Sequence, residues 1–210
     1  EHFSAMLDWA IRMVLLLGLP AALALAVLAE PLLITLFHYG AMTDHDIYMA
    51  AMSLRAYAFG LLAFMLIKVL APGFFARQDT KTPVKIGIIA MLANMVFNLI
   101  LIWPLAHAGL ALATALSAFM NAGMLGYLLR KQGVLVFQPG WSRFALQLFG
   151  GSAVMSIGLY WLAPEWQAWL GFSLFQRVGW VSLLVGLGVG VYFAWLAAFG
   201  LRLNHLKMHS

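Results

Sequence analysis

Six apolar runs, each about as long as a membrane-crossing helix, dominate the sequence: 11–37, 47–70, 84–103, 109–129, 144–162 and 178–201. At 1.5 Å per residue, roughly 20 helical residues span the hydrocarbon core of a bilayer. The chain has 210 residues, of which 64% are hydrophobic and 9% charged, with a mean hydropathy of +0.94. A soluble domain of this size has no core large enough to hide so much apolar surface. A β-barrel would alternate polar and apolar residues in segments of about ten, whereas these runs are continuous. The expected class is therefore all-α, a polytopic transmembrane helical bundle.

The connectors decide the orientation. Residues 68–85, KVLAPGFFARQDTKTPVK, hold the densest cluster of charge, with Lys68, Arg77, Asp79, Lys81 and Lys85. Pro72-Gly73 is expected to end one helix, because proline removes a backbone donor and glycine loosens the chain. Thr82-Pro83 is expected to open the next, as a hydroxyl N-cap with proline at the first helical position. If alternate connectors lie on opposite sides, one side holds Arg12, Lys68, Arg77, Lys81, Lys85, Arg130, Lys131, Arg143, Arg202 and Lys207. The other holds Arg55 and Arg177, with Glu30, Asp44, Asp46 and Glu165 nearby. That asymmetry places the basic side, and both ends of the chain, in the cytoplasm. It also accounts for the net charge of +5 without a nucleic-acid partner. No cysteine is present, so disulfides and thiolate metal sites are excluded.

Finer signals fall inside this frame. Pro20 is expected to kink the first run. The loop at 38–46 carries two histidines and two aspartates, which a solvated loop with a helix cap explains without a metal. Thr43 and Asp46 there have the spacing of a capping box. The short turn at 104–108 makes the third and fourth runs a tight antiparallel hairpin. Gly109, Ala113 and Ser117, and Gly186 with Gly190, have the four-residue spacing that lets helices approach closely in lipid. The sequence opens at Glu1 without an initiator Met or a signal-peptide pattern, and reads as the later part of a longer protein.

Polar residues inside the apolar runs are the candidates for function. Asn94 and Asn98 lie one turn apart on one helical face, and Asn98 and Thr114 are about equally far from the hairpin turn. Two readings stand: hydrogen bonds that only hold the hairpin together, or a site for a hard cation such as Na⁺. Arg55, about two turns inside its run, either snorkels outward or faces a cavity where it could hold a phosphate. Lys68 lies near the inner end of the same run. The sequence has no HExxH, nucleophile elbow or phosphate-binding glycine loop, so transport is expected rather than catalysis.

The connector KVLAPGFFARQDTKTPVK resembles the one before the eleventh helix of the MurJ (MviN) family, bacterial lipid II flippases of the MOP superfamily. NMVFNLILIWPLAHAGLALATALSAFMNA is similar to helices eleven and twelve of that family, and LLRKQGVL followed by Pro139-Gly140-Trp141 matches in order and spacing. The resemblance covers essentially the whole chain, as helices nine to fourteen. It implies a two-lobe transporter, with residues 1–131 supplying the last four helices of the second lobe. Residues 132–210 would be the extra C-terminal pair that contributes to a lipid-tail groove, with a short cytoplasmic tail. The implied activity is flipping of the undecaprenyl-diphosphate-linked peptidoglycan precursor across the bacterial inner membrane by alternating access. The implied partners are membrane lipids and the missing N-terminal lobe. The resemblance implies no cofactor, but Na⁺ or the membrane potential as driving force. The later part of a family sodium site falls on Asn94, Asn98, the Leu110 carbonyl and Thr114, with Asn98 where such sites can carry an aspartate. A related cation-coupled exporter of drugs or of other lipid-linked saccharides is the alternative, and a non-transporting membrane scaffold a third.

Overall fold

The computed structural model describes residues 2–200 and is built of helices: α1 (His2–Val27), α2 (Ala29–Phe37), α3 (Asp44–Phe75), α4 (Lys81–Lys131), α5 (Trp141–Leu162), α6 (Trp166–Gly171) and α7 (Leu174–Ala198). Five of these are long and apolar enough to cross a membrane. The sixth expected span is inside α4, a 51-residue element whose two limbs meet at Ala106, where φ is 49° and ψ −123°. Ile86 on the first limb shares a buried cluster with Leu125 and Leu129 on the second. These positions are about equally far from Ala106, so the limbs run antiparallel as the expected hairpin. Gly109 is buried at the turn, where a Cβ would run into the Leu101 carbonyl.

Prolines shape the remaining helices, though not always where expected. The first run divides into α1 and α2 at Leu28. Pro31 lacks the N–H that would bond the Val27 carbonyl, so α1 ends at Val27. Pro20, in contrast, lies inside an unbroken α1. Its missing donor strands the Leu16 carbonyl, which accepts the buried Tyr192 hydroxyl from α7 at 2.7 Å instead. Pro72-Gly73 does not end α3 either. The helix continues to Phe75 because the Pro72 carbonyl still accepts the Ala76 amide at 2.9 Å. Helix α4 then starts at Lys81, and the Thr82 amide is capped by the Asp79 carboxylate at 3.0 Å, not by a Thr82 hydroxyl cap.

Hydrogen bonds from the Thr82 side chain and amide hold the Asp79 carboxyl below its ordinary value of 3.8. The cap therefore acts fully above that value and is lost as pH falls through the lowered one. The Thr43–Asp46 capping box opens α3 as expected. A second box, Ser173–Gln176, starts α7 earlier than the apolar run suggested. Glu1, Leu201, Arg202 and Lys207 lie outside the described residues.

Helix α1 joins two sub-bundles, packing on α3 on one side and on α5 on the other, while α3 packs on α4 and α5 on α7. Helix α3 and the second limb of α4 approach closely, so that a Cβ at Gly60 would stand 2.8 Å from the Ala115 Cβ. Ala113 and Ser117 are buried on that limb, as their spacing predicted. Gly186 and Gly190 are a correction: both are exposed and face open space. The packing glycine of α7 is Gly188, against Leu159. The first limb of α4 buries only Ile86 and Ala90, leaving Ile88, Leu92, Met95, Leu99 and Trp103 exposed. Such a surface needs an apolar surrounding.

Two polar clamps fasten the bundle ends. At the basic end, buried Asp8 takes Arg12 Nε at 2.9 Å, Trp141 Nε1 at 2.7 Å and the Gln138 amide at 3.2 Å. Arg12 in turn donates to the carbonyls of Gln138 and Pro139, both at 3.1 Å, and lies over the Trp141 ring. The Pro139-Gly140-Trp141 turn is thus strapped to α1. At the opposite end Arg177, 6% exposed, donates to the carbonyls of Trp169, Ile34 and Leu170 at 3.2 Å and of His38 at 3.4 Å. Helices α2 and α6 end on this one guanidinium.

Two outcomes follow for stability. Tyr192→Phe should lower it by about 1 kcal/mol, as for other hydrogen bonds within a membrane. The loss should shrink in a Pro20→Ala background, whose restored N–H covers the Leu16 carbonyl; thermal unfolding of the four proteins in detergent measures the coupling. Gly60→Val should cost about 1–3 kcal/mol by overpacking, whereas Gly186→Ala should stay within roughly 0.5 kcal/mol in the same assay.

Candidate functional site

A cleft of about 700 Å³ opens where α1 breaks from α2, between α3 and the α5–α6 corner. Arg55 reaches into it from α3. Its Nε donates to the Ala26 carbonyl at 3.0 Å, and its Nη2 meets Glu30 Oε1 at 3.2 Å. The two side chains are 39% and 29% exposed. Arg55 is thus a cavity residue with its own counter-ion, not a free cation turned to solvent. Sequence reasoning named both residues without pairing them; the available signal was Glu30 beside Pro31, which sets a carboxylate at a helix break. Tyr160, Trp161, Trp166 and Glu165 form the rim, and buried Trp169 lies beneath, its Nε1 donating to the Pro164 carbonyl at 3.0 Å. Lys68 is exposed near the other end of α3, so the structure does not bring the two basic residues together.

The second candidate group lies on the α4 hairpin. The Oδ1 atoms of Asn94 and Asn98 are buried on the first limb and accept no hydrogen bond. On the second limb the Thr114 hydroxyl donates to the Leu110 carbonyl at 3.0 Å and Ser117 to the Thr114 carbonyl at 2.9 Å. Both hydroxyls turn back onto their own helix, so the expected bonds across the hairpin do not form. Two neutral oxygens, one turn apart and without donors, are what a hard monovalent cation would accept.

The basic connector is compact. Arg77 Nη1 donates to Gln132 Oε1 at 2.6 Å, tying the end of α3 to the end of α4. Lys81, Lys85, Arg130 and Lys131 are exposed around it, and Arg130 lies over the Phe137 ring. In the loop at the opposite end, His38 Nε2 pairs with Asp44 Oδ1 at 2.9 Å and Asp46 serves the helix cap. Of three polar residues that organise the bundle, Asp8 and Tyr192 escaped sequence reasoning, and Arg177 was read only as a charge on the outer side. For Asp8 the signal was Arg12 one turn later; the other two carried none.

An apolar groove of about 270 Å³ runs between α1, α5 and α7, walled by Leu16, Pro20, Met155, Leu159, Gly188 and Phe193. Its polar contribution is negligible.

Residues 1–179 match the family model described as lipid II flippase MurJ. A Vibrio cholerae serotype O1 protein named "Probable lipid II flippase MurJ" is 47% identical over 207 residues, covering 99% of this chain and 39% of that protein. A Haemophilus influenzae protein of the same name is 47% identical over 204 residues, covering 97% and 40%. The Burkholderia cenocepacia "Lipid II flippase MurJ" is 38% identical over 212 residues, covering 100% and 41%. A solved structure titled "Lipid II flippase MurJ, inward closed conformation" has a similar fold, with a TM-score of 0.78 at 22% sequence identity over 94% of this chain and 39% of that one. The chain spans about two fifths of the length of the curated relatives it matches. Matched by the family model over most of its length and by these relatives over nearly all of it, the chain belongs to the MurJ lipid II flippase family.

Proposed function

We propose that this chain is the C-terminal part of a transporter that flips the lipid-linked peptidoglycan precursor across the bacterial inner membrane by alternating access. The observation that carries this reading is the 47% identity, across nearly the whole chain, to relatives named as lipid II flippases. The physical task fits a helical bundle whose cleft holds charged side chains: a diphosphate-sugar-peptide headgroup cannot cross about 30 Å of hydrocarbon unaided. Residues 1–131 form the last four helices of the second lobe, and 132–210 the added pair. The apolar groove between α1, α5 and α7 supports a path there for the lipid tail. The connector with Arg77, Asp79, Lys81 and Lys85 lies on the cytoplasmic side, as do both chain ends. Arg55 and Lys68, toward opposite ends of α3, meet the headgroup at the outer and inner ends of its path. The missing N-terminal lobe supplies the rest of the cavity.

Asn94, Asn98, the Leu110 carbonyl and Thr114 contribute oxygens to a cation site that couples transport to Na⁺. The support is the pair of donor-less amide oxygens on the first limb of α4. In this chain the four groups are neutral, so they would hold a monovalent ion weakly and orient it, while the membrane potential supplies drive.

Reconstitution of the full-length protein in vesicles tests the main reading. Lipid-linked precursor placed in the inner leaflet should become accessible to an impermeant enzyme added outside; efflux of amphipathic drugs without precursor movement would instead favour the drug-exporter alternative. Asn98→Asp should steepen the dependence of the flipping rate on Na⁺, with about tenfold lower half-saturation, equivalent to about 1.4 kcal/mol. An unchanged sodium dependence would remove the coupling site from the mechanism.

A further inference from the structure

We propose that the cleft around Arg55 takes an uncharged saccharide, the sugar portion of the lipid-linked substrate. This deepens the flippase reading, on which the choice of biological substrate rests; the binding chemistry itself rests on the cleft. Its charges exclude the simpler ligands. One guanidinium, Arg55, stands among two carboxylates, Glu30 and Glu165. A phosphate approaching Arg55 meets Glu30 already bound to it, and an organic cation approaching either carboxylate meets Arg55. A sugar hydroxyl donates and accepts at once, so it can bridge the pair without displacing either partner.

The pair leaves room for that. Glu30 is engaged through Oε1 alone, and among the described residues Arg55 Nη1 has no partner. An acceptor and a donor therefore stand side by side at the wall of a cleft whose volume falls within the usual 300–1,000 Å³ of small-molecule sites. The aromatic residues supply the other half of the recognition. Tyr160 and Trp161 are 75% and 80% exposed at the rim, with Trp166 beside them. The electron-rich face of an indole attracts the polarised C–H groups on the apolar face of a pyranose ring. Aromatic belts at a membrane interface are common. Here, however, the rings border a cleft whose ion pair keeps a free donor and a free acceptor, which a belt does not require.

The test uses the full-length protein in detergent micelles and N,N′-diacetylchitobiose as the probe, with saturation-transfer NMR reading contact to the sugar protons. Saturable transfer is expected, about tenfold weaker in affinity in Trp161→Ala and in Glu30→Gln. Trp161 is too exposed for its loss to unfold the chain, so that variant should keep the parent's melting temperature. Inorganic phosphate and tetraphenylphosphonium should not displace the sugar. The proposal is overturned if no transfer is seen, if both variants bind like the parent, or if either ion competes with the sugar. If vesicles move the lipid-linked precursor while the disaccharide fails to bind, the saccharide site falls and the flippase reading stands. If the sugar binds as expected but no precursor moves, the site stands and the flippase reading falls.

Discussion

In hydrocarbon no water is available to a backbone carbonyl that has lost its helical partner, and this bundle is built around where such carbonyls occur. Several breaks or prolines in its helices are answered by a polar side chain from a neighbour. Pro20 strands the Leu16 carbonyl and Tyr192 takes it. The end of α1 before Pro31 presents the Ala26 carbonyl and Arg55 takes it. Helices α2 and α6 stop beside each other, and Arg177 collects carbonyls from both. These three polar residues are in this sense placed by the backbone, and the cleft opens beside a broken helix.

The same accounting separates what a reader of the sequence can see from what stays hidden. The hairpin was visible because two apolar runs are joined by too few residues for any other path. The Thr43–Asp46 cap was visible because its geometry is local. The Arg177 clamp was not, since its acceptors come from turns more than a hundred residues away in the chain as well as from nearby α6. Nor could spacing alone separate Gly188 from Gly186 and Gly190, because which face of α7 meets α5 depends on the partner. The Arg55 site was half legible. Depth in the membrane marked the arginine as unusual, but its pairing with Glu30 depends on α1 ending at Val27 so that α2 can turn toward α3.

Asn94 and Asn98 illustrate a different limit. Their spacing correctly put them on one face, and hydrogen bonding across the hairpin was the ordinary reading. The neighbouring hydroxyls were free to choose a closer acceptor, the carbonyl one turn back, which Ser and Thr in helices often do. That choice leaves two buried acceptors unmet, a more informative arrangement than the satisfied one would have been.

The polar fastenings are unevenly distributed. Asp8 and Arg12 strap the turn before α5 to α1, Tyr192 pins α7 to α1, and Arg177 pins α7 to α2. Between α1–α2 and α3, Arg55 bonds the Ala26 carbonyl and Glu30, and His38 pairs with Asp44 across the intervening loop. The bonds of Asp8, Tyr192 and Arg177 couple the terminal helices to α1 and α2, and the cleft lies where that group meets α3, so a change in how the two fit together would alter its width.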